Sequence, residues 1–110
     1  MMVMLVLDEK SIDAKIRAGG AVMVVLFYAD WCPFCRKFKP VFETYERSAK
    51  HQFAEAKVNE DENPMWDRFK VEVVPTVVSF KDGREVARRN GKPGMGLSKS
   101  DMESILGEVA

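Results

Sequence analysis

The sequence predicts an α/β domain with a central mixed five-stranded sheet flanked by four helices. Three observations carry that reading. Ala21 to Ala29 is almost wholly apolar, with Val22, Val24, Val25, Leu26 and Phe27, as expected of a central strand covered on both faces. Directly after it, Phe38, Val41, Phe42, Tyr45 and Ala49 recur at helical spacing. Near the C-terminal end, Asp82-Gly83 separates two short strand-like segments and has the composition of a tight hairpin turn. Strands alternating with helices imply parallel pairing, and the hairpin adds an antiparallel portion.

Met1 to Leu7 is a short apolar segment and is expected to be the first strand. Ser11 to Ala18 places Ile12 and Ile16 on one face of a short helix that Gly19-Gly20 would end. The central strand follows. Pro33 suits the first turn of the next helix, where its missing N–H costs nothing. That helix is expected to run to about Lys50, with a kink at Pro40. Phe53 to Asn59 reads as a third strand, and Asn63-Pro64 as the start of a short helix bearing Met65, Trp66 and Phe69. Thr76 to Lys81 and Glu85 to Arg89 form the hairpin, followed by a Gly/Pro-rich loop from Asn90 to Gly96. Ser98, or Ser100 with Glu103, would cap a last helix carrying Met102, Ile105, Leu106 and Val109.

Length and composition bound the function. The 110 residues are the size of one domain, and residues 1–110 are read as such. With 17 basic and 17 acidic residues the chain is neutral, which argues against nucleic acid or an anionic membrane as partner. No stretch reaches the roughly 20 apolar residues of a membrane span. No basic residue precedes the apolar N-terminus, and Asp8, Glu9 and Lys10 follow it at once. That is unlike a secretory signal, so a cytoplasmic location is expected.

The chemistry lies in the two cysteines, Cys32 and Cys35, in Trp31-Cys32-Pro33-Phe34-Cys35. A bridge across so short a loop constrains the unfolded chain little, so a reactive role outweighs a structural one. Disulfide exchange needs a thiolate nucleophile and a second thiol to resolve the mixed disulfide. At the start of a helix, unpaired N–H groups and the helix dipole favour a thiolate at Cys32. Cys35 would lie one turn further in, leaving Cys32 alone exposed. A zinc site is the competing reading, but closing one takes about four ligands. Only His51 remains, placed by the pattern at the solvent-facing end of the same helix, so a metal would have to be shared between two chains. No metal or cofactor is expected.

At this point the chain resembles the thioredoxin family. Phe27-Tyr28-Ala29-Asp30-Trp31-Cys32, Lys57-Val58-Asn59 with Asn63-Pro64, Val74-Pro75-Thr76, Phe80-Lys81-Asp82-Gly83 and Gly96-Leu97-Ser98-Lys99 follow the family's order over nearly the whole chain. The resemblance implies a thioredoxin fold. It also implies that Cys32 is the attacking nucleophile, that Cys35 is the resolving thiol, and that Pro75 is cis and lies against the pair. Trp31 and Val74 would form an apolar docking patch. Disulfide-containing proteins would be the substrates and a thioredoxin-reductase-like protein the electron donor. Trp66 has no expected role beyond packing.

The chain departs from the family's pattern at two places. Pro33-Phe34 stands where typical thioredoxins have Gly-Pro, and it looks closer to the Pro-Tyr of glutaredoxins. Leu26 stands where the family usually has a buried aspartate thought to manage the Cys35 proton. Lys57, that aspartate's usual neighbour, remains as a proton-transfer or electrostatic residue. It is expected to turn to Glu60 or Asp61, or to stay near the site with a lowered pKa. The leading expectation is an enzyme that reduces protein disulfides. A glutathione-dependent, glutaredoxin-like enzyme and a binding module without the chemistry are the alternatives.

Overall fold

The computed structural model describes residues 5–17, 21–46 and 51–109. Among the described residues the chain forms β1 (Leu5–Leu7), α1 (Ile12–Arg17), β2 (Met23–Tyr28), α2 (Pro33–Thr44), β3 (Gln52–Lys57), α3 (Met65–Arg68), β4 (Thr76–Lys81), β5 (Arg84–Asn90) and α4 (Lys99–Val109). The sheet order is β1-β3-β2-β4-β5. β1 and β2 both run parallel to β3, whereas β2–β4 and β4–β5 are antiparallel. The predicted mixed sheet and its helix count are therefore observed.

The alternation of β2 explains the two-sided core. Val24, Leu26 and Tyr28 face α2 and α4 and pack with Phe38, Phe42, Met102 and Ile105. Met23, Val25 and Phe27 point the other way, toward α1 and α3, and pack with Ile12, Ile16 and Met65. All six β2 residues are buried, as the continuous apolar run requires. The hairpin also follows its sequence: Asp82 and Gly83 both have positive φ, 54° and 82°, the backbone a two-residue turn needs to match strand twist.

Besides shifts of a residue or two at the ends of β2 and β5, two boundaries that bear on the site differ from the sequence reading. α2 ends at Thr44, short of Lys50, and runs through Pro40 to get there. The Thr44 hydroxyl donates to the Val41 carbonyl at 2.7 Å, the oxygen that the Tyr45 N–H would use to continue the helix. The Tyr45 N–H bonds to Phe42 instead, at 3.1 Å. His51 therefore lies in a half-buried bend before β3 and not at a helix end. β3 in turn stops at Lys57, which frees Asn59 for the site. The expected N-terminal strand residues Met1 to Met4, the Gly19-Gly20 stop and the stretch 47–50 lie outside the described residues. For α4, Ser98 is the capping residue. Its N–H donates to the Asp101 carboxylate at 2.9 Å, so Asp101 takes the place expected for Glu103.

Candidate active site

Cys32 sits at the junction where β2 gives way to α2. It is the N-cap of α2, in extended conformation (φ −93°, ψ 115°), with Pro33 at the first helical position. Its Sγ accepts a hydrogen bond from the Cys35 N–H at 3.4 Å, as a capping side chain should. The same sulfur donates to the Val74 carbonyl at 3.4 Å. Both cysteines are free thiols. Contrary to the expectation that Cys32 stands exposed, it is 5% accessible, against 1% for Cys35. The Val74 carbonyl and the loop that carries it cover the sulfur. The two thiols differ in surroundings all the same. Burial is the main cause that pushes Cys35 up to about 12, the neighbouring Cys32 adds to it, and a hydrogen bond with the Ala29 backbone opposes it.

A small polar network holds the segment ahead of Cys32, and sequence reasoning missed its centre. Asn59 receives the Asp30 N–H on its side-chain oxygen at 2.8 Å and donates its amide to the Asp30 carboxylate at 3.1 Å. Its carbonyl accepts the Trp31 indole N–H at 3.0 Å. Lys57 pairs with Asp30 at 3.0 Å, not with Glu60 or Asp61. The hydrogen bond from Asn59, then that from Lys57, lowers the Asp30 pKa. The Asp30 partner raises that of Lys57, opposite to the lowering expected for a lysine without a partner. An Asn two residues beyond a strand, opposite the Asp two residues beyond its neighbour, is the only sequence signal that could have found this pairing.

The loop before β4 closes the other side. The Val74–Pro75 bond is cis, and Pro75 is buried. The backbone of Gly91 packs against it so closely that a Cβ there would stand 2.6 Å from the Pro75 carbonyl oxygen. Gly96, at φ +69°, packs on the Phe34 side chain, where a Cβ would lie 2.8 Å from the Phe34 Cβ. Around the pair, Trp31 is 56% exposed and so is no core tryptophan; Val73 and Met95 are also exposed, and Val74 is half-buried. Trp66, half-buried against the α1/α3 side of the core, donates its indole N–H to the Glu60 carbonyl at 2.9 Å.

Behind the pair, Leu26 is fully buried on the Cys35 side of the sheet. Its register partner in β3 is Glu55, a carboxylate that is 4% accessible and that sequence reasoning passed over.

The arrangement is a thioredoxin-fold scaffold presenting a Cys-Pro-Phe-Cys dithiol at a helix N-terminus. The comparisons agree with it. The thioredoxin family model matches residues 3–104. A thioredoxin of Chlamydia pneumoniae is 34% identical over 84 residues, covering 76% of this chain and 79% of its own length. A thioredoxin of Rickettsia bellii is 29% identical over 102 residues, covering 92% and 94%. The bifunctional thioredoxin reductase/thioredoxin of Mycobacterium leprae is 29% identical over 99 residues, of which this chain spans 89% of itself but 22% of that protein. The crystal structure of Chlamydomonas reinhardtii thioredoxin f2 superposes with a TM-score of 0.84, covering 96% of this chain and 95% of its own, at 18% identity, a likeness of fold. The chain belongs to the thioredoxin family, and it is a thiol–disulfide oxidoreductase.

Proposed function

We propose that the chain reduces disulfides in other proteins, with Cys32 as nucleophile and Cys35 as resolving thiol. The observation that carries this reading is the Cys35 N–H on Cys32 Sγ: the first sulfur caps the helix while the second lies buried one turn behind it. The Cys32 thiolate attacks one sulfur of a substrate disulfide, forming a mixed disulfide and releasing the first substrate thiol. The Cys35 sulfur then attacks Cys32 Sγ. Cys35 gives up its proton, the Cys32–Cys35 bond forms, the mixed disulfide breaks, and the second substrate sulfur leaves as its thiolate. Two electrons pass from the dithiol to the substrate. The Val74 carbonyl is bonded to the sulfur, Trp31 precedes Cys32 in the chain and Pro75 follows Val74, and we read these three as the surface on which an extended substrate segment rests. Lys57 acts there electrostatically, through its pair with Asp30.

The oxidised pair must be reduced again. A thioredoxin-reductase-like donor is the partner this cycle calls for. The Mycobacterium leprae relative, which joins reductase and thioredoxin in one polypeptide, supports the assignment. A reducing compartment, the cytoplasm, is the matching setting. Turbidity from insulin reduction by dithiothreitol tests the reading: acceleration by the chain, abolished in Cys32→Ser, is expected. No acceleration would leave a binding module. Sustained turnover with a thioredoxin reductase and not with glutathione separates this enzyme from a glutaredoxin-like one.

A further inference from the structure

Cys35 has to give up a proton before it can resolve a mixed disulfide, and its burial makes that loss difficult. Among the described residues the hydrogen-bond partners acting on its sulfur are the Ala29 backbone and Cys32, and neither is a carboxylate. Asp30, the nearest carboxylate in sequence, is exposed and tied to Asn59 and Lys57. Glu43 is exposed on α2.

Glu55 is different. Its side chain is 5% accessible, and its Oε2 is buried with no hydrogen-bond partner among the described residues. Its Oε1 is 3.8 Å from the Lys39 ammonium, which itself lies 4.9 Å above the centre of the Tyr28 ring. The groups facing it are Lys39 and Glu43 from α2, Glu46 just after that helix, and Tyr28 and Leu26 from β2; β1 contributes the uncharged Val6 opposite. Cys35, Lys39 and Glu43 follow one another at spacings of four, on one stripe of α2. All three line a single cleft of about 210 Å³, walled also by Tyr28, Ala29, Asp30, Arg36 and Pro40, with the Asp30 carboxylate held by Asn59 and Lys57. A volume of that size holds several water molecules at about 30 Å³ each. The cleft thus joins Cys35 to Lys39 and Glu43, the two side chains next to Glu55, which itself lies behind that wall.

We propose that Glu55 exchanges a proton with the Cys35 thiol through water in the cleft lined by Lys39 and Glu43. The inference rests on the division of labour between Cys32 and Cys35 given above. In the resolving step the proton leaves Cys35 for the Glu55 carboxylate as Cys35 Sγ bonds to Cys32 Sγ and the substrate thiolate departs. In the return step the protonated Glu55 supplies the proton to Cys35 as an incoming thiolate takes over Cys32. Burial, and after it the Glu43 carboxyl, holds Glu55 at about 8, with Lys39 opposing. A group poised there changes its charge near neutral pH, which suits proton exchange in both directions.

The aromatic disulfide 5,5′-dithiobis(2-nitrobenzoate) separates the steps. Attack by Cys32 releases one coloured thiolate at a rate that depends on reagent concentration. Resolution by Cys35 releases the second at a rate that does not. In the unsubstituted chain the second phase is expected to rise with pH and level off above about 8, as Glu55 becomes ionised. Glu55→Gln should slow that phase about tenfold or more above this point and abolish the levelling, with the first phase unchanged. Glu43→Gln, at an exposed position, should move the inflection roughly half a unit or more to lower pH by removing a like charge. A second phase with the same rate and pH profile in Glu55→Gln overturns the proposal. Should that variant fail to fold, an inflection that stays in place in Glu43→Gln overturns it. Loss of the first phase in the unsubstituted chain would instead overturn the roles of the two cysteines.

Discussion

Two identical thiols three residues apart act differently only because their surroundings differ. Both are buried, but the Cys32 sulfur is bonded to one N–H and one carbonyl as the cap of α2, whereas Cys35 lies one turn further in, where burial pushes its thiol up to about 12. Removing the inner sulfur should therefore leave the first half of the reaction intact. Cys35→Ser is expected to accumulate mixed disulfides through Cys32, visible as substrate adducts on non-reducing gels. Cys32→Ser should accumulate none, and the reverse pattern would invert the assignment. This pair was legible from spacing and position after a strand. The groups that serve it were legible only in part. Lys57 could be singled out, but its partner could not, because Asp30 and Lys57 are 27 positions apart and meet only once β2 and β3 align. Glu55 was hidden for another reason. In Gln52-Phe53-Ala54-Glu55-Ala56-Lys57 a glutamate reads as a solvated strand residue, since charged side chains are seldom buried. Burial came from α2 lying over that face.

At the scale of elements, patterns set by the chain's own neighbours were readable, and those decided by competition were not. β4 begins and ends where its Thr-Val-Val-Ser-Phe-Lys run does, and the two positive-φ residues of the turn fix the return strand. The end of α2 escaped because apolar spacing continues to Ala49, while the Thr44 hydroxyl takes the Val41 carbonyl and stops the helix earlier. That early stop has a structural use. It points Tyr45 at α4, where its hydroxyl donates to the Glu103 carboxylate at 2.8 Å. Burial, then Glu103, pushes the Tyr45 phenol up to about 12. Glu103, which the sequence suggested as a capping partner, was freed for this contact by Asp101. Tyr45→Phe keeps the ring in the core and removes one part-buried bond to a charged acceptor, a loss of about 1 kcal/mol. Its thermal midpoint should drop by about 4–8 °C with insulin reduction unchanged. An unchanged midpoint would mean that water replaces the contact at no cost.

For the whole molecule, the shifted groups combine into a stability profile with a definite sign. Glu55 is raised from 4.5 to about 8, so the folded state holds a proton there that the unfolded chain has already lost. Its contribution is complete below pH 4.5 and is lost as pH rises through about 8. Cys35 and Tyr45, raised to about 12 from 9 and 10, behave alike at higher pH. The Cys35 contribution persists to about pH 9 and that of Tyr45 to about pH 10, and both are lost as pH rises toward about 12. Asp8 and Asp30 are lowered from 3.8, so theirs are present above that value and lost as pH falls below it. Both aspartates are exposed, which keeps the acid limb shallow. The sum places maximal stability between about pH 4 and 5, with a decline through neutrality. A shift of one unit corresponds to about 1.4 kcal/mol, so Glu55 dominates that decline. Urea unfolding from pH 4 to 10 is expected to give a midpoint that falls between pH 5 and 8 in the unsubstituted chain. It should stay nearly flat over that window in Glu55→Gln, with the fall above pH 9 persisting in both. Cys35→Ser should diminish that alkaline fall while leaving the decline between 5 and 8 in place, because it removes a different group. A midpoint in the unsubstituted chain that rises from pH 5 to 8 would mean that Glu55 is ionised in the folded state. The Lys39 ammonium would then outweigh both burial and the Glu43 carboxyl.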